Sequence, residues 1–222
     1  MSNFYAIIPA AGIGKRFGGS VKKQFLGLGG RSLLEWSVGA FLKTKRFQRI
    51  VVCLPVDELV SISGKTDSPE VIYVAGGITR AQSVKKGFEV LKASDEDMIL
   101  VHDAVRPLVG VDLILRVAVA TKERGPTVPV TRLNDTIKEI KEGIVSKTID
   151  RSSLFAVQTP QGFPAGVLKR IYQKLSRDDP CWTDEAMMAE AIGEKVYAVE
   201  GERRNIKVTT TEDLRIAECL CE

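Results

Sequence analysis

Phe4-Tyr5-Ala6-Ile7-Ile8-Pro9-Ala10-Ala11-Gly12-Ile13-Gly14-Lys15-Arg16-Phe17-Gly18 is a short apolar run that gives way to glycine, lysine and arginine. An apolar run of this length, closed by Pro9, reads as a buried strand, and Ala10 to Gly19 reads as a glycine-rich loop. A loop of this kind at the carboxyl end of a first parallel strand is where α/β proteins bind nucleotides. Without side chains in the way, backbone N–H groups there can approach phosphate oxygens closely. Two common versions of the loop do not fit. A Walker loop needs Gly-Lys-Ser/Thr, and Lys15 is followed by Arg16. A dinucleotide fingerprint needs G-x-G-x-x-G, and here the third glycine falls one place late, at Gly18. The ribose-binding acid is also missing, since the second strand ends at Leu54-Pro55. Arg16, followed by Lys22 and Lys23, points instead to a polyphosphate site.

Beyond the loop, strands and helices alternate. Ser32 and Glu35 form a capping box, and Leu34, Val38, Phe41 and Leu42 follow at helical spacing. Arg49–Leu54, Val71–Val74, Met98–Val101 and Thr127–Val130 read as buried strands. Thr79 to Lys92 reads as a helix with Ala81, Val84, Phe88 and Leu91 on one face. Asp112 is a suitable cap for a helix running to Arg124 and stopped by Gly125. This rhythm predicts an α/β fold over residues 1–222: one Rossmann-like, doubly wound domain with a mostly parallel sheet covered on both faces. Arg132 to Ser153 departs from it. The stretch is polar, with Ile137/Ile140 and Ile144-Val145 flanking Gly143, and reads as a β-arm projecting from the sheet. Ala165–Ser176, Thr183–Ile192 and Thr211–Leu220 read as helices, Lys195–Val199 and Ile206–Val208 as extended segments.

Composition narrows the function. The net charge of +4 is too mild to argue for DNA binding, but suits small substrates that carry phosphate. Aromatic residues are few and show no stacking motif, so nucleic acid is not expected as a partner. No apolar run approaches a membrane span, and no signal peptide is visible before Tyr5. Cys53, Cys181, Cys219 and Cys221 show neither a CxxC pair nor disulfide spacing, which fits a reducing cytoplasm. A single histidine makes a His/Cys zinc site improbable.

The loop Pro9 to Arg16 resembles that of the nucleotidyltransferases that activate sugar phosphates. Lys23-Gln24-Phe25-Leu26, Gly76 to Val84, His102-Asp103-Ala104-Val105-Arg106-Pro107, Thr159-Pro160-Gln161, Thr183-Asp184-Glu185-Ala186 and Asn205-Ile206-Lys207-Val208-Thr209 resemble, in order, segments of the 2-C-methyl-D-erythritol 4-phosphate cytidylyltransferase family. Essentially the whole chain is covered. Lys22 stands where the family usually has proline, Ile78 replaces a commonly polar residue, Val105 a frequent alanine and Met187 a frequent serine or alanine. None of these departures removes a charge that the chemistry needs.

The resemblance implies transfer of CMP from CTP to 2-C-methyl-D-erythritol 4-phosphate, with release of pyrophosphate, in the non-mevalonate route to isoprenoid precursors. It implies a catalytic set of Arg16, Lys23, Asp103 and Lys207, with Arg16 and Lys23 on the triphosphate and Asp103 beside Mg2+. It implies CTP contacts from Ala10, Ala11, Gly12, Gly14, Gly77, Arg80, Ser83 and Ala104. For the acceptor it implies Arg106, Thr136, Arg151, Thr159 and Thr183. Thr136 and Arg151 would reach into the site from the arm of the other subunit of a homodimer. Asp103 suits a helix cap as well as a metal, and Thr183 an N-cap as well as an acceptor contact. His102 reads as a packed histidine, because an already ionised acceptor phosphate needs no general base. A ribitol 5-phosphate cytidylyltransferase would share most of these motifs. A non-catalytic nucleotide-binding regulator on the same fold would be expected to lack one or more of the reacting charges, and all four are present.

Overall fold

The computed structural model describes residues 2–12, 22–62, 68–174 and 182–221. In chain order it runs through β1 (Phe4–Pro9), β2 (Gly27–Leu28), β3 (Arg31–Ser32), α1 (Leu33–Lys43), β4 (Arg49–Leu54), α2 (Val56–Ile62) and β5 (Val71–Ala75). It continues through α3 (Arg80–Leu91), β6 (Met98–Val101), α4 (Val111–Arg124), β7 (Thr127–Arg132), β8 (Ile137–Lys141) and β9 (Ile144–Ile149). The last part comprises β10 (Phe155–Val157), β11 (Gln161–Pro164), α5 (Ala165–Lys174), α6 (Glu185–Ala191), β12 (Tyr197–Glu200) and α7 (Thr211–Leu220).

The central sheet has eight strands, in the order β5-β4-β1-β6-β11-β7 with β10 and β12 also on β7. β1 lies parallel to β4 on one side and to β6 on the other, with Ile7 opposite Val51 and Val101. The chain builds outward from β1 through β4 to β5, then returns to β6 on the far side. The strand order therefore reverses at β1, and such a reversal opens a crevice at the carboxyl ends of the strands.

Alternation along the strands splits the core in two. Phe4, Ala6 and Ile8 of β1, with Ile50, Val52 and Leu54 of β4, pack beneath α1 and α4. Tyr5 and Ile7, with Val51 and Cys53, pack against α3, α5 and α6 on the other face. A strand that is apolar at every position is what a sheet covered on both sides requires.

The sheet is mostly parallel, as expected, but four details differ from the sequence reading. α2 follows Pro55, where the sequence pattern predicts no element; Asp57 and Glu58 in its first turn suit the positive end of its dipole. β11 enters the sheet antiparallel between β6 and β7. α4 starts at Val111 with Gly110 as N-cap, so Asp112 is a first-turn acid and not the cap. Ile206–Val208 forms no strand, although Val208 N–H donates to Val105 O at 2.9 Å.

The arm is a separate two-stranded sheet of β8 and β9. Its turn places Glu142 at φ 51 and Gly143 at φ 80, two left-handed residues in succession, as a tight hairpin demands.

Candidate active site

Three segments meet at the carboxyl edge of β1, β5 and β6. The first is the start of the glycine loop. Ala10 N–H continues the ladder to Cys53 O at 2.8 Å, and the buried Gln24 side chain donates to Ala10 O at 2.6 Å and to Gly12 O at 3.3 Å. Gln24 thereby fixes the part of that loop that falls within the described residues. Lys22, beside it, is drawn away to Asp57 and Glu58 of α2, while Lys23 lines the cavity.

The second segment is Gly76-Gly77 ahead of α3. A Cβ on Gly76 would lie 2.3 Å from Ala11 Cβ, and one on Gly77 2.3 Å from Gln82 Cβ. Only glycine allows β5 to turn this closely against β1 and α3. Thr79 and Gln82 form a capping box, and the Gln82 carboxamide also accepts from Ile78 N–H at 2.9 Å. Ser83 Oγ accepts from Gly77 N–H at 3.0 Å and donates to Thr79 O at 3.0 Å. Its hydroxyl shapes the loop.

The third segment follows β6 and carries the charge. Asp103 is buried, and three cations surround it. Arg80 Nε donates to its Oδ1 at 3.0 Å, Lys207 Nζ lies 2.7 Å from Oδ2, and Arg106 Nε is 3.9 Å from Oδ2. Burial pushes the Asp103 pKa upward, but Arg80, Lys207 and Arg106 outweigh it and hold the carboxyl well below its usual range. Arg80 also donates through Nη1 to Oε2 of the fully buried Glu185, at 2.6 Å.

Beneath Asp103 lies a directed chain of hydrogen bonds. His102 is fully buried, and burial lowers its pKa to about 4, so the ring is neutral near pH 7. Nε2 lies 3.2 Å from Arg106 O, a carbonyl that can only accept, so Nε2 carries the proton. Nδ1 therefore accepts from Thr159 Oγ1 at 3.0 Å, and that oxygen accepts in turn from Asp103 N–H at 3.1 Å. Asn205 ties in the segment after β12: its Nδ2 donates to Thr159 O at 2.8 Å, and its backbone carbonyl accepts from Arg106 Nη1 at 2.7 Å.

These segments enclose a cavity of ≈ 470 Å³, a volume typical of small-ligand sites. Of the residues expected from the sequence, Ala10, Ala11, Gly12, Lys23, Gly77, Arg80, Ser83, Asp103, Ala104 and Lys207 line it. Gly14 and Arg16 lie outside the described residues. Arg106 and Thr159 sit behind the wall, held to Asp103 and His102. Thr183 is exposed beside α6, whose N-cap is Asp184, accepting from Met187 N–H. Thr136 and Arg151 are exposed on the arm, away from the cavity lining. Asp103 caps no helix, since the next one begins at Val111. Gln24, Gln82, Glu185 and Asn205 are not singled out by the sequence reading, although all four fall inside the quoted segments.

A nucleotide-sized cavity at a sheet switch point, walled by backbone on one side and by lysine and arginine around one carboxylate on the other, defines a nucleotidyltransferase-type α/β protein. The comparisons make this specific. A family profile, IspD: 2-C-methyl-D-erythritol 4-phosphate cytidylyltransferase, matches residues 4–222. The chain belongs to that family. It is 42% identical to the 2-C-methyl-D-erythritol 4-phosphate cytidylyltransferase of Endomicrobium trichonymphae, over 96% of both chains. The Geobacter metallireducens protein of the same name is 36% identical over 96% of this chain and 95% of its own. The crystal structure of the Francisella tularensis protein superposes with a TM-score of 0.85 at 31% identity, covering 98% of this chain and 99% of that one. That from Thermus thermophilus gives 0.79 at 33% identity, covering 99% and 98%.

Proposed function

We infer that this chain transfers CMP from CTP to 2-C-methyl-D-erythritol 4-phosphate, releasing pyrophosphate and forming 4-diphosphocytidyl-2-C-methyl-D-erythritol. The observation that carries the reading is the Arg80-Asp103-Lys207 cluster facing the Ala10–Gly12 and Gly77 backbone across one cavity, in a chain that matches the family from residue 4 to its end. An acceptor phosphate oxygen attacks the α-phosphorus, and the α–β bridging oxygen leaves with pyrophosphate. Negative charge gathers there, so the protein acts by positioning and electrostatic stabilisation. The Ala10–Gly12 and Gly76–Ile78 backbone forms the wall against which the base packs. Lys23, with Arg16, takes the triphosphate. Lys207, braced by Asp103, meets the acceptor phosphate, and Arg106, held behind the wall by Asp103 and Asn205 O, adds positive charge to that side of the site. Purified protein given CTP with either 2-C-methyl-D-erythritol 4-phosphate or ribitol 5-phosphate tests the assignment. Pyrophosphate release with the first acceptor is expected; turnover with ribitol 5-phosphate alone would replace it.

A divalent cation such as Mg2+ fits this site in one way. Asp103 is the one carboxylate among the described residues that line the cavity, and both its oxygens already face cations. The phosphates must therefore supply most of the ion's ligands, as Mg2+ commonly allows. When bound, the ion neutralises phosphate charge. Full turnover in excess chelator would rule it out.

The arm supports a homodimer. Ile140, Ile144 and Val145 on it, and Phe155 and Val157 of β10, are exposed apolar side chains. A polar hairpin needs something to pack against, and a second copy is the commonest partner. Arg151 and Thr136 then enter the neighbouring site. Mixed dimers of Arg16→Ala and Arg151→Ala chains would place both defects in one site and neither in the other. Random pairing should restore roughly a quarter of all sites; no recovery would remove the shared site. A nucleoside triphosphate substrate supports a cytoplasmic setting. No helix among the described residues is long and apolar enough to cross a membrane.

A further inference from the structure

Glu185 is fully buried, opens α6 and does not line the cavity, yet it reaches the cavity wall through one side chain. Its Oε2 accepts from Arg80 Nη1 at 2.6 Å; Arg80 Nε donates to Asp103 Oδ1 at 3.0 Å; Asp103 Oδ2 holds Lys207 Nζ at 2.7 Å. A chain of three ion pairs thus runs from a helix behind the site to two groups that face the substrate. We propose that Glu185 is a positioning residue for CMP transfer: it clamps the Arg80 guanidinium so that Asp103 and Lys207 hold their reactive geometry. This rests on the cytidylyltransferase reading above.

Three observations carry the proposal. Arg80 is gripped at two points of its planar fork, Nε and Nη1, by carboxylates from different elements. One anchor would leave the plane free to turn, whereas two fix it. Glu185 is not required as a helix cap, because Asp184 already accepts from Met187 N–H at 2.9 Å. A buried ion pair is also a weak source of stability, since an apolar pair of similar volume often does as well. Burying this carboxylate is better accounted for by what it orients. Burial raises the Glu185 pKa and Arg80 opposes it; with that pair ionised, Arg80, Arg106 and Lys207 against Asp103 and Glu185 leave one net positive charge, and loss of Glu185 leaves two. The extra charge alone would favour an anionic substrate, so any fall in rate on removing Glu185 reports lost geometry.

The test is a double-mutant cycle. Glu185→Gln keeps shape and loses charge. It should lower kcat roughly 10- to 100-fold, the scale on which a misplaced reacting group is felt. The KM for CTP should rise by a smaller factor than kcat falls, because the Ala10–Gly12 and Gly77 wall is untouched and only the Arg80 side of the cavity is loosened. In an Arg80→Met background the same change should alter kcat by less than about twofold, since the clamp has nothing left to hold. Equal effects in both backgrounds, or unchanged kcat in Glu185→Gln, would overturn the proposal. Should Glu185→Gln not fold, Glu185→Asp, which keeps the charge but draws it back by one methylene, should show the same pattern in smaller measure. Nitrogen-resolved spectra of the wild-type guanidinium groups need no substrate. The Arg80 Nη signals, identified by their loss in Arg80→Met, should be separate, and averaged signals would refute the clamp. A wild-type protein inactive with both acceptors would instead sink the cytidylyltransferase reading and leave the spectral test standing.

Discussion

Thr159→Val removes one oxygen and little else. Valine matches threonine in shape, so packing is preserved while the hydroxyl is lost. That hydroxyl donates to His102 Nδ1 at 3.0 Å and accepts from Asp103 N–H at 3.1 Å, at a residue only 5% exposed. Both partners lose their hydrogen bond in the variant. His102 cannot compensate by changing tautomer, because its Nε2–H is held by Arg106 O. Each stranded buried group costs about 1–3 kcal/mol, so the pair costs about 2–6 kcal/mol. At about 2–4 °C per kcal/mol for a chain of this size, Tm should fall by about 4–24 °C. The amide left unpaired belongs to Asp103, so the loss also reaches the site. Thermal unfolding followed by circular dichroism, with pyrophosphate release for kcat, measures both. Thr159→Ser keeps the oxygen and should recover most of each. A Thr159→Val protein that melts within about 1 °C of wild type with unchanged kcat would refute the directed chain and the tautomer drawn from it.

The buried imidazole gives a pH signature. The folded pKa of about 4 lies below the ordinary 6.5, so the unfolded chain binds a proton first as pH falls. Stability is full above about pH 6.5 and declines toward about pH 4, by about 3 kcal/mol in all. Denaturant unfolding from about pH 7 to about pH 5, compared with His102→Asn, isolates the slope because the chain has no other histidine. Gly77→Ala should cost about 1–3 kcal/mol and weaken CTP binding, since the added Cβ meets Gln82 Cβ at 2.3 Å; calorimetry with CTP reads it, and unchanged affinity would count against this wall. Lys23→Ala should fold normally and lose roughly 2.7–4 kcal/mol of transition-state stabilisation, the size of an oxyanion donor; near-normal kcat would take Lys23 out of the mechanism. In Asp103→Asn, kcat should collapse while CTP binding holds or tightens; parallel loss of both would show that Asp103 supports the nucleotide and not the reacting groups.

The parts of the fold that can be read from sequence are those whose pattern is local. β1, β4 and β6 are apolar at nearly every position because both faces are covered, and the capping box of α1 stands where Ser32-Glu35 announces it; the Thr79-Gln82 box of α3 emerges only from the structure. β11 is not legible. Gln161-Gly162-Phe163-Pro164 has no alternation, and its glycine is explained only by Thr121 Oγ1, which would lie 1.9 Å from an added Cβ. The site divides in the same way. Residues that line the cavity fall in recognisable segments. Those that hold them do so too, but their roles depend on partners far along the chain: Glu185 on Arg80, 105 positions away, and Asn205 on Thr159, 46 away. No window of sequence contains such a pair. Thr159 shows the other side of this: its segment is recognisable, but the partners of its hydroxyl, His102 and Asp103 behind the cavity wall, are visible only in the structure.

A carboxylate in a cavity meant for phosphates needs a physical reason, and the geometry supplies one. Arg80, Arg106 and Lys207 all approach the same point. Three like charges that close repel one another strongly where water is partly excluded, and alone they would spread apart. Asp103 holds them together before substrate arrives, and Thr159 and His102 hold Asp103 by its backbone, leaving its carboxylate for the cations. Lys207 is the most exposed of the three, with 43% of its side chain accessible, and so is the one best placed to turn from Asp103 toward an incoming phosphate. Arg80 has no such freedom, being clamped by Glu185. The cluster therefore pairs a fixed cation with a movable one around a single anion. On the proposed reaction, that division would keep the three cations gathered around Asp103 and leave Lys207 as the one to meet the reacting phosphates.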